Sequence, residues 1–151
     1  MVELSAAVLF AAIYAFWPNE LVGDQWLLLG FWLVYAVFFM ALAVYDLRWF
    51  LLPNRLVLPL TAIVLVQVVT MALLGGSFWA DLRPPLAAGA VAYGVFWLLY
   101  QVSDGQWIGG GDVKLMFALG AIAGTPLKGL LIIFFASLLG TLASAPLLFR
   151  G

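Results

Sequence analysis

The chain has 151 residues, of which 67% are apolar and 9% charged, with a mean hydropathy of +1.18 and a formal net charge of -1. Soluble domains carry about a quarter charged residues, so this composition describes an integral membrane protein of a length suited to one domain, taken here as 1–151. Six Lys and Arg in total leave no basic surface for nucleic acid. The absence of Cys and His excludes disulfides, thiolate nucleophiles, imidazole bases and His/Cys metal sites.

Breaking the sequence at charges, prolines and glycine clusters predicts an all-α, polytopic transmembrane bundle of about six helices. The apolar segments run roughly Val2–Trp17, Trp26–Tyr45, Leu56–Leu74, Leu86–Val102, Val113–Gly124 and Leu127–Phe149. A helix needs around 20 residues to cross the hydrocarbon core, within a range of about 17–25. The second, third, fourth and sixth segments meet this, and the first is marginal. The fifth is short unless its helix begins in the loop before it. Glu3 stands where a signal peptide would place positive charge, so the first segment reads as a retained helix. Gly120 with Gly124, and Ala136 with Gly140 and Ser144, are small residues at four-residue spacing, suited to close helix packing in the bilayer.

Orientation follows the basic residues. With the N-terminus inside, Arg48, Arg55, Lys114 and Arg150 are cytoplasmic, against Arg83 and Lys128 outside, and the acidic first loop PNELVGDQ lies outside as well. The loop after segment two and the loop before segment five share one membrane face whichever way the chain points.

Four of the seven acids, Glu3, Glu20, Asp24 and Asp81, fall at a terminus or in loops, where a solvated role is the default. Asp46 directly follows the apolar run FFMALAVY, and Asp112 directly precedes VKLMFALG, so both lie at similar depth on the same face. Asp104, in the polar stretch SDGQ, is the rival to Asp112 and reads as solvated. Two carboxylates within a few ångströms do not both ionise; they share a proton. The ionised member then takes a proton from water while the protonated one polarises a carbonyl. This chemistry needs neither cofactor nor metal. The structural alternative is that each Asp caps a helix or pairs with Arg48 or Lys114.

Gly109, Gly110 and Gly111 stand immediately before Asp112 and permit positive φ or close backbone approach. A phosphate-binding loop is excluded, because no strand precedes the glycines and the GxxxxGK[ST] pattern is absent. In LLPNRL, Pro53 and Asn54 suit a turn that ends the excursion after Asp46 and starts the third helix.

The two stretches YDLRWFLLPNRL and GGGDVKL together resemble the type IV prepilin peptidase family of GxGD-type membrane aspartyl proteases. The resemblance covers nearly the whole chain. It implies Asp46 and Asp112 as the catalytic pair and Gly109 and Gly111 as the motif glycines. Gly110, Lys114, Arg48, Pro53 and Asn54 would be supporting positions. It also implies an aspartic endopeptidase of the bacterial inner membrane. Such an enzyme removes the short, positively charged leader of prepilin or pseudopilin precursors at the cytoplasmic face, typically after a Gly and ahead of an apolar helix. Longer members carry a cysteine-paired, zinc-binding domain associated with N-methylation. This sequence has no Cys, so peptidase activity without that domain is expected, as in the short enzymes of tight-adherence pilus systems. Two other classes make different demands. A proton-coupled transporter would spread titratable groups through the membrane depth, and a non-catalytic assembly protein of a pilus or secretion system would tolerate Asp46→Asn.

Overall fold

The computed structural model describes residues 2–49 and 51–148, with side chains for 3–4, 6–49 and 51–138. Its described residues form six helices and no strand: α1 (Val2–Ala15), α2 (Gln25–Trp49), α3 (Asn54–Leu74), α4 (Phe78–Val102), α5 (Gly110–Ala123) and α6 (Pro126–Leu148). Among them α2, α3 and α4 are long and apolar enough to cross a membrane. The sixth segment, expected to span, is the apolar 23-residue helix α6 over Pro126–Leu148. Of Gly140 and Ser144 only the helical backbone is described, and Arg150 falls outside the described residues.

Three boundaries differ from the sequence reading, each for a physical reason. The second helix does not stop at Tyr45 but runs to Trp49, which takes Asp46 into its last turn. The fourth begins at Phe78 rather than Leu86, with Asp81, Arg83, Pro84 and Pro85 inside the helix. Charge and proline suggested a loop there, but proline is tolerated in membrane helices whose neighbours take up the freed backbone groups. The fifth starts at Gly110, within the glycine triplet, and is still only 14 residues long.

The core forms around α3. Val57, Leu60, Val64 and Val68 recur every three or four residues and so share one face. They are buried against Tyr35 and Leu42 of α2 and Ala118 and Ala121 of α5. The Tyr35 hydroxyl donates to Gln67 Oε1, joining α2 to α3 within the bundle.

The most extensive helix contact is between α4 and α5. Small residues make it possible. A Cβ on Gly120 would stand 2.5 Å from the Ala88 carbonyl oxygen, and one on Gly89 would stand 2.8 Å from that of Phe117. Gly124 has a different job from the packing role expected for it. It ends α5 as a left-handed cap at φ 78°, with nothing near its absent side chain. At the other edge, α1 touches only α2 among the described residues. A crevice of about 730 Å³ opens there beside α3, lined by residues that include Phe10, Met40, Tyr45, Trp49 and Arg55.

Candidate active site

The α2–α3 and α4–α5 connections come together at one end of the bundle. Asp46 stands on the stripe of α2 that carries the buried Tyr35 and Leu42, since positions 35, 42 and 46 recur at helical spacing. One turn from the helix end, that stripe leaves the core and the Asp46 side chain is exposed. On either side of it, the rings of Tyr45 and Trp49 meet tilted, with centroids 4.3 Å apart, and the Arg48 guanidinium lies 5.1 Å above the Trp49 ring. Arg48 therefore covers an aromatic surface of its own helix and does not pair with the other aspartate.

Pro53 is the N-cap of α3, extended at φ -72° and ψ 133°, and its carbonyl accepts the first helical bonds, from the N–H groups of Leu56 and Val57. Proline suits this place because its ring fixes φ and its missing N–H is not needed at a helix start. Asn54 is the first helical residue, and its Oδ1 accepts a hydrogen bond of 2.9 Å from Lys114 Nζ on α5, 60 positions along the chain.

Asp112 is the third residue of α5, and its Oδ2 accepts the Gly109 N–H at 3.2 Å. This is the reciprocal half of a capping box, the other half being closed to a glycine cap, which has no side chain. A carboxylate in a helix's first turn is also favoured by the helix dipole. Capping was the structural alternative raised for this acid, and Asp112 does cap its helix. Its side chain is partly buried, and Asp46 lies close enough for its charge to act on it.

The glycines serve close approach and not the positive φ also considered for them. No residue of the triplet has positive φ, and Gly109 is extended at φ -73°. Gly111 seats α5 directly on the α2–α3 connection, where a Cβ would stand 2.7 Å from Leu52 Cβ and 2.9 Å from its carbonyl oxygen. Gly109 leaves room for the Asp112 carboxylate, which would lie 3.0 Å from an added Cβ, whereas Gly110 meets only the edge of Tyr100 at 4.0 Å.

The loop before α5 has its own supports, which sequence reasoning missed. The Tyr100 ring packs beneath Gly105, which adopts φ 74°. Buried Ser103 donates to the Tyr100 carbonyl and accepts the Trp107 N–H. Leu52 was missed as well, because an apolar residue in an apolar stretch carries no signal of which glycine it will meet. Asp104 is exposed, with φ 49°, as its polar neighbourhood suggested.

Residues 33–145, which include both aspartates, Asn54 and Lys114, match the model of the type IV leader peptidase family. Over 122 residues the chain is 37% identical to a prepilin leader peptidase/N-methyltransferase of Xanthomonas campestris pv. campestris, an alignment covering 78% of this chain and 40% of that protein. A protein of the same name from Escherichia coli is 35% identical over 95 residues, covering 60% of this chain and again 40% of the relative. The matched region thus amounts to two fifths of either relative's length. No solved structure matches the chain. With an all-helical fold, three helices fit to cross a membrane and most of its length matched, this integral membrane protein belongs to the type IV leader peptidase family.

Proposed function

We propose that this chain is an aspartic endopeptidase that removes the leader from prepilin or pseudopilin precursors, with Asp46 and Asp112 as the catalytic pair. The observation that carries this reading is the convergence of two sequence-distant elements at one end of the bundle. Gly111 packs on Leu52, Lys114 bonds Asn54, and the Asp46 charge reaches Asp112.

In the proposed reaction the pair holds one proton between its two carboxyl groups. The ionised carboxylate accepts a proton from a water molecule as its oxygen adds to the scissile carbonyl carbon. The protonated carboxyl donates to the carbonyl oxygen, which gives a neutral gem-diol. In the collapse of that intermediate one gem-diol hydroxyl returns its proton to the ionised carboxylate as the C–N bond breaks, the amine leaves with the other proton of the pair, and the shared-proton state is restored. No other ionisable group is required. Gly109, Gly111, Pro53, Asn54 and Lys114 support the arrangement around the pair. The balance of basic residues favours a site facing the cytoplasm from a bacterial inner membrane, where the leader of such a precursor would lie. The domain proposed for this activity is 1–151, and the reading is confined to peptide-bond hydrolysis, the first of the two activities in the relatives' name.

The test is co-expression with prepilin precursors, with leader removal scored by gel shift and by N-terminal sequencing of the product. Cleavage at the leader junction that depends on both aspartates supports the reading. Retention of the leader on every precursor tried sinks it.

A further inference from the structure

We infer that Lys114 and Asn54 are a positioning pair that sets the orientation of the first turn of α5, and with it the direction in which Asp112 faces Asp46. Only the kinetic arm of the test below rests on the peptidase reading.

Two contacts attach the start of α5 to the start of α3. At the first, Gly111 lies against Leu52 so closely that a Cβ would meet both side chain and backbone. That contact fixes how near the helix starts come, and farther along Ala118, Gly120 and Ala121 pack α5 on α3 and α4; what it leaves open is the orientation of the first turn, which carries Asp112. The second is the 2.9 Å bond from Lys114 Nζ to Asn54 Oδ1. Lys114 follows Gly111 by three positions, so both lie on the same face of α5. Two attachments on one face hold the first turn more firmly than one would.

The position of Asp112 follows from this geometry. It is one residue from Gly111 and two from Lys114, hence about 100° and 200° away around the helix. With the first turn held through Gly111 and Lys114, the Asp112 side chain is turned away from the α3 start. Asp46 is itself joined to Pro53 and Asn54 through the short connection after α2. The bond therefore links the two elements that carry the acids.

The bond is also poorly suited to a role in stability. Both groups lie on the surface of the bundle, so no polar atom of its core depends on the bond. Immobilising a lysine side chain costs conformational entropy as well. Positioning is the effect that such a bond can have here.

The chain has no cysteine, which makes a direct test clean. The double variant Asp46→Cys with Asp112→Cys is treated in native membranes with a short bis-maleimide, and the intramolecular cross-link is quantified by mass spectrometry. In that background, Lys114→Met or Asn54→Ala is expected to lower the cross-linked fraction severalfold, and both together no further. Lys114→Arg, which can still donate to Asn54, is expected to restore it. With both aspartates intact, Lys114→Met is expected to lower kcat on a prepilin roughly 10- to 100-fold, the cost typical of an ångström-scale misplacement, with KM changed less than about twofold. Lys114→Arg is again the rescue.

Cross-linking that is absent in the starting pair, or unchanged by Lys114→Met, overturns the inference. So does a kcat that Lys114→Met leaves unaltered, or a loss that Lys114→Arg fails to recover. If the unaltered protein cleaves no prepilin, the peptidase reading fails, and the cross-linking arm still decides the positioning role.

Discussion

The last turn of α2 and the first turn of α5 each carry an aspartate, and the two turns are built in opposite ways. Asp46 is exposed near the end of a 25-residue helix and has no hydrogen-bond partner among the described residues. Its neighbours Tyr45, Arg48 and Trp49 contact one another. Asp112 is partly buried, holds the Gly109 N–H, and sits between the Gly111–Leu52 contact and the Lys114–Asn54 bond. One carboxylate is placed by the reach of a long helix, the other by a set of local attachments. Changes beside Asp112 should therefore displace it, while changes beside Asp46 should be tolerated.

The acids themselves come first. Asp46→Asn and Asp112→Asn should each lower cleavage of a prepilin at least a thousandfold or so, and the double variant should be scarcely worse, because residues acting as one unit are strongly non-additive. Asp104→Asn, at an exposed position, should retain near-normal cleavage. A dead Asp104→Asn beside an active Asp112→Asn would show that the wrong acid had been paired with Asp46.

Neighbouring glycines should then separate by what their side chain would meet. Gly111→Ala drives a Cβ into Leu52, including its backbone, and is expected to cost roughly tenfold or more in cleavage rate as α5 shifts. Gly110→Ala, with only Tyr100 at 4.0 Å, should change the rate little. Equal rates for the two variants would remove the seating of α5 on Leu52 from the account.

Away from the site, Gly120→Ala meets the Ala88 carbonyl and should destabilise the fold by about 1–3 kcal/mol, read as a lower unfolding midpoint in detergent. Gly124→Ala meets no atom but is strained at φ 78°, at about 1–2 kcal/mol. On the Asp46 side, Arg48→Ala should leave cleavage nearly unchanged, since Arg48 covers only Trp49. A severe loss there would make the two turns more alike than their contacts suggest. The smallest effect is expected from chelation: EDTA should not slow cleavage by a carboxylate pair. Loss that a divalent ion restores would replace the acid–base mechanism with a metal-assisted one.

Much of this arrangement was legible in the residues before the fold was known. The apolar runs gave α2 and α3 nearly whole, and loop parity put Asp46 and Asp112 at the same end of the bundle. Less could be read where one residue type serves two ends. Pro84 and Pro85 suggested a break but lie inside α4, because membrane helices accommodate proline. Gly124 matched a packing motif but is a left-handed cap, a matter of backbone conformation that spacing does not encode. The Lys114–Asn54 bond and the Leu52 seat join positions far apart in the chain, and no periodicity or local pattern reports such a meeting. The motif resemblance selected several of these positions but supplied no geometry for them.

The length of α5 bears on the surrounding lipid. Fourteen helical residues reach about 21 Å, against a hydrocarbon layer of about 30 Å. The helix is closed by Asp112 and Gly109 at one end and by the Gly124 cap at the other, so it has no slack with which to lengthen. A bilayer adapts to a short apolar span by thinning beside it. Thinning on the α5 side would lower the headgroup plane toward Asp112 and bring bulk solvent nearer to a carboxyl group otherwise bordered by apolar helices. Bond hydrolysis at a membrane surface needs a supply of water there, and a helix this short, if set against lipid, would draw that supply inward.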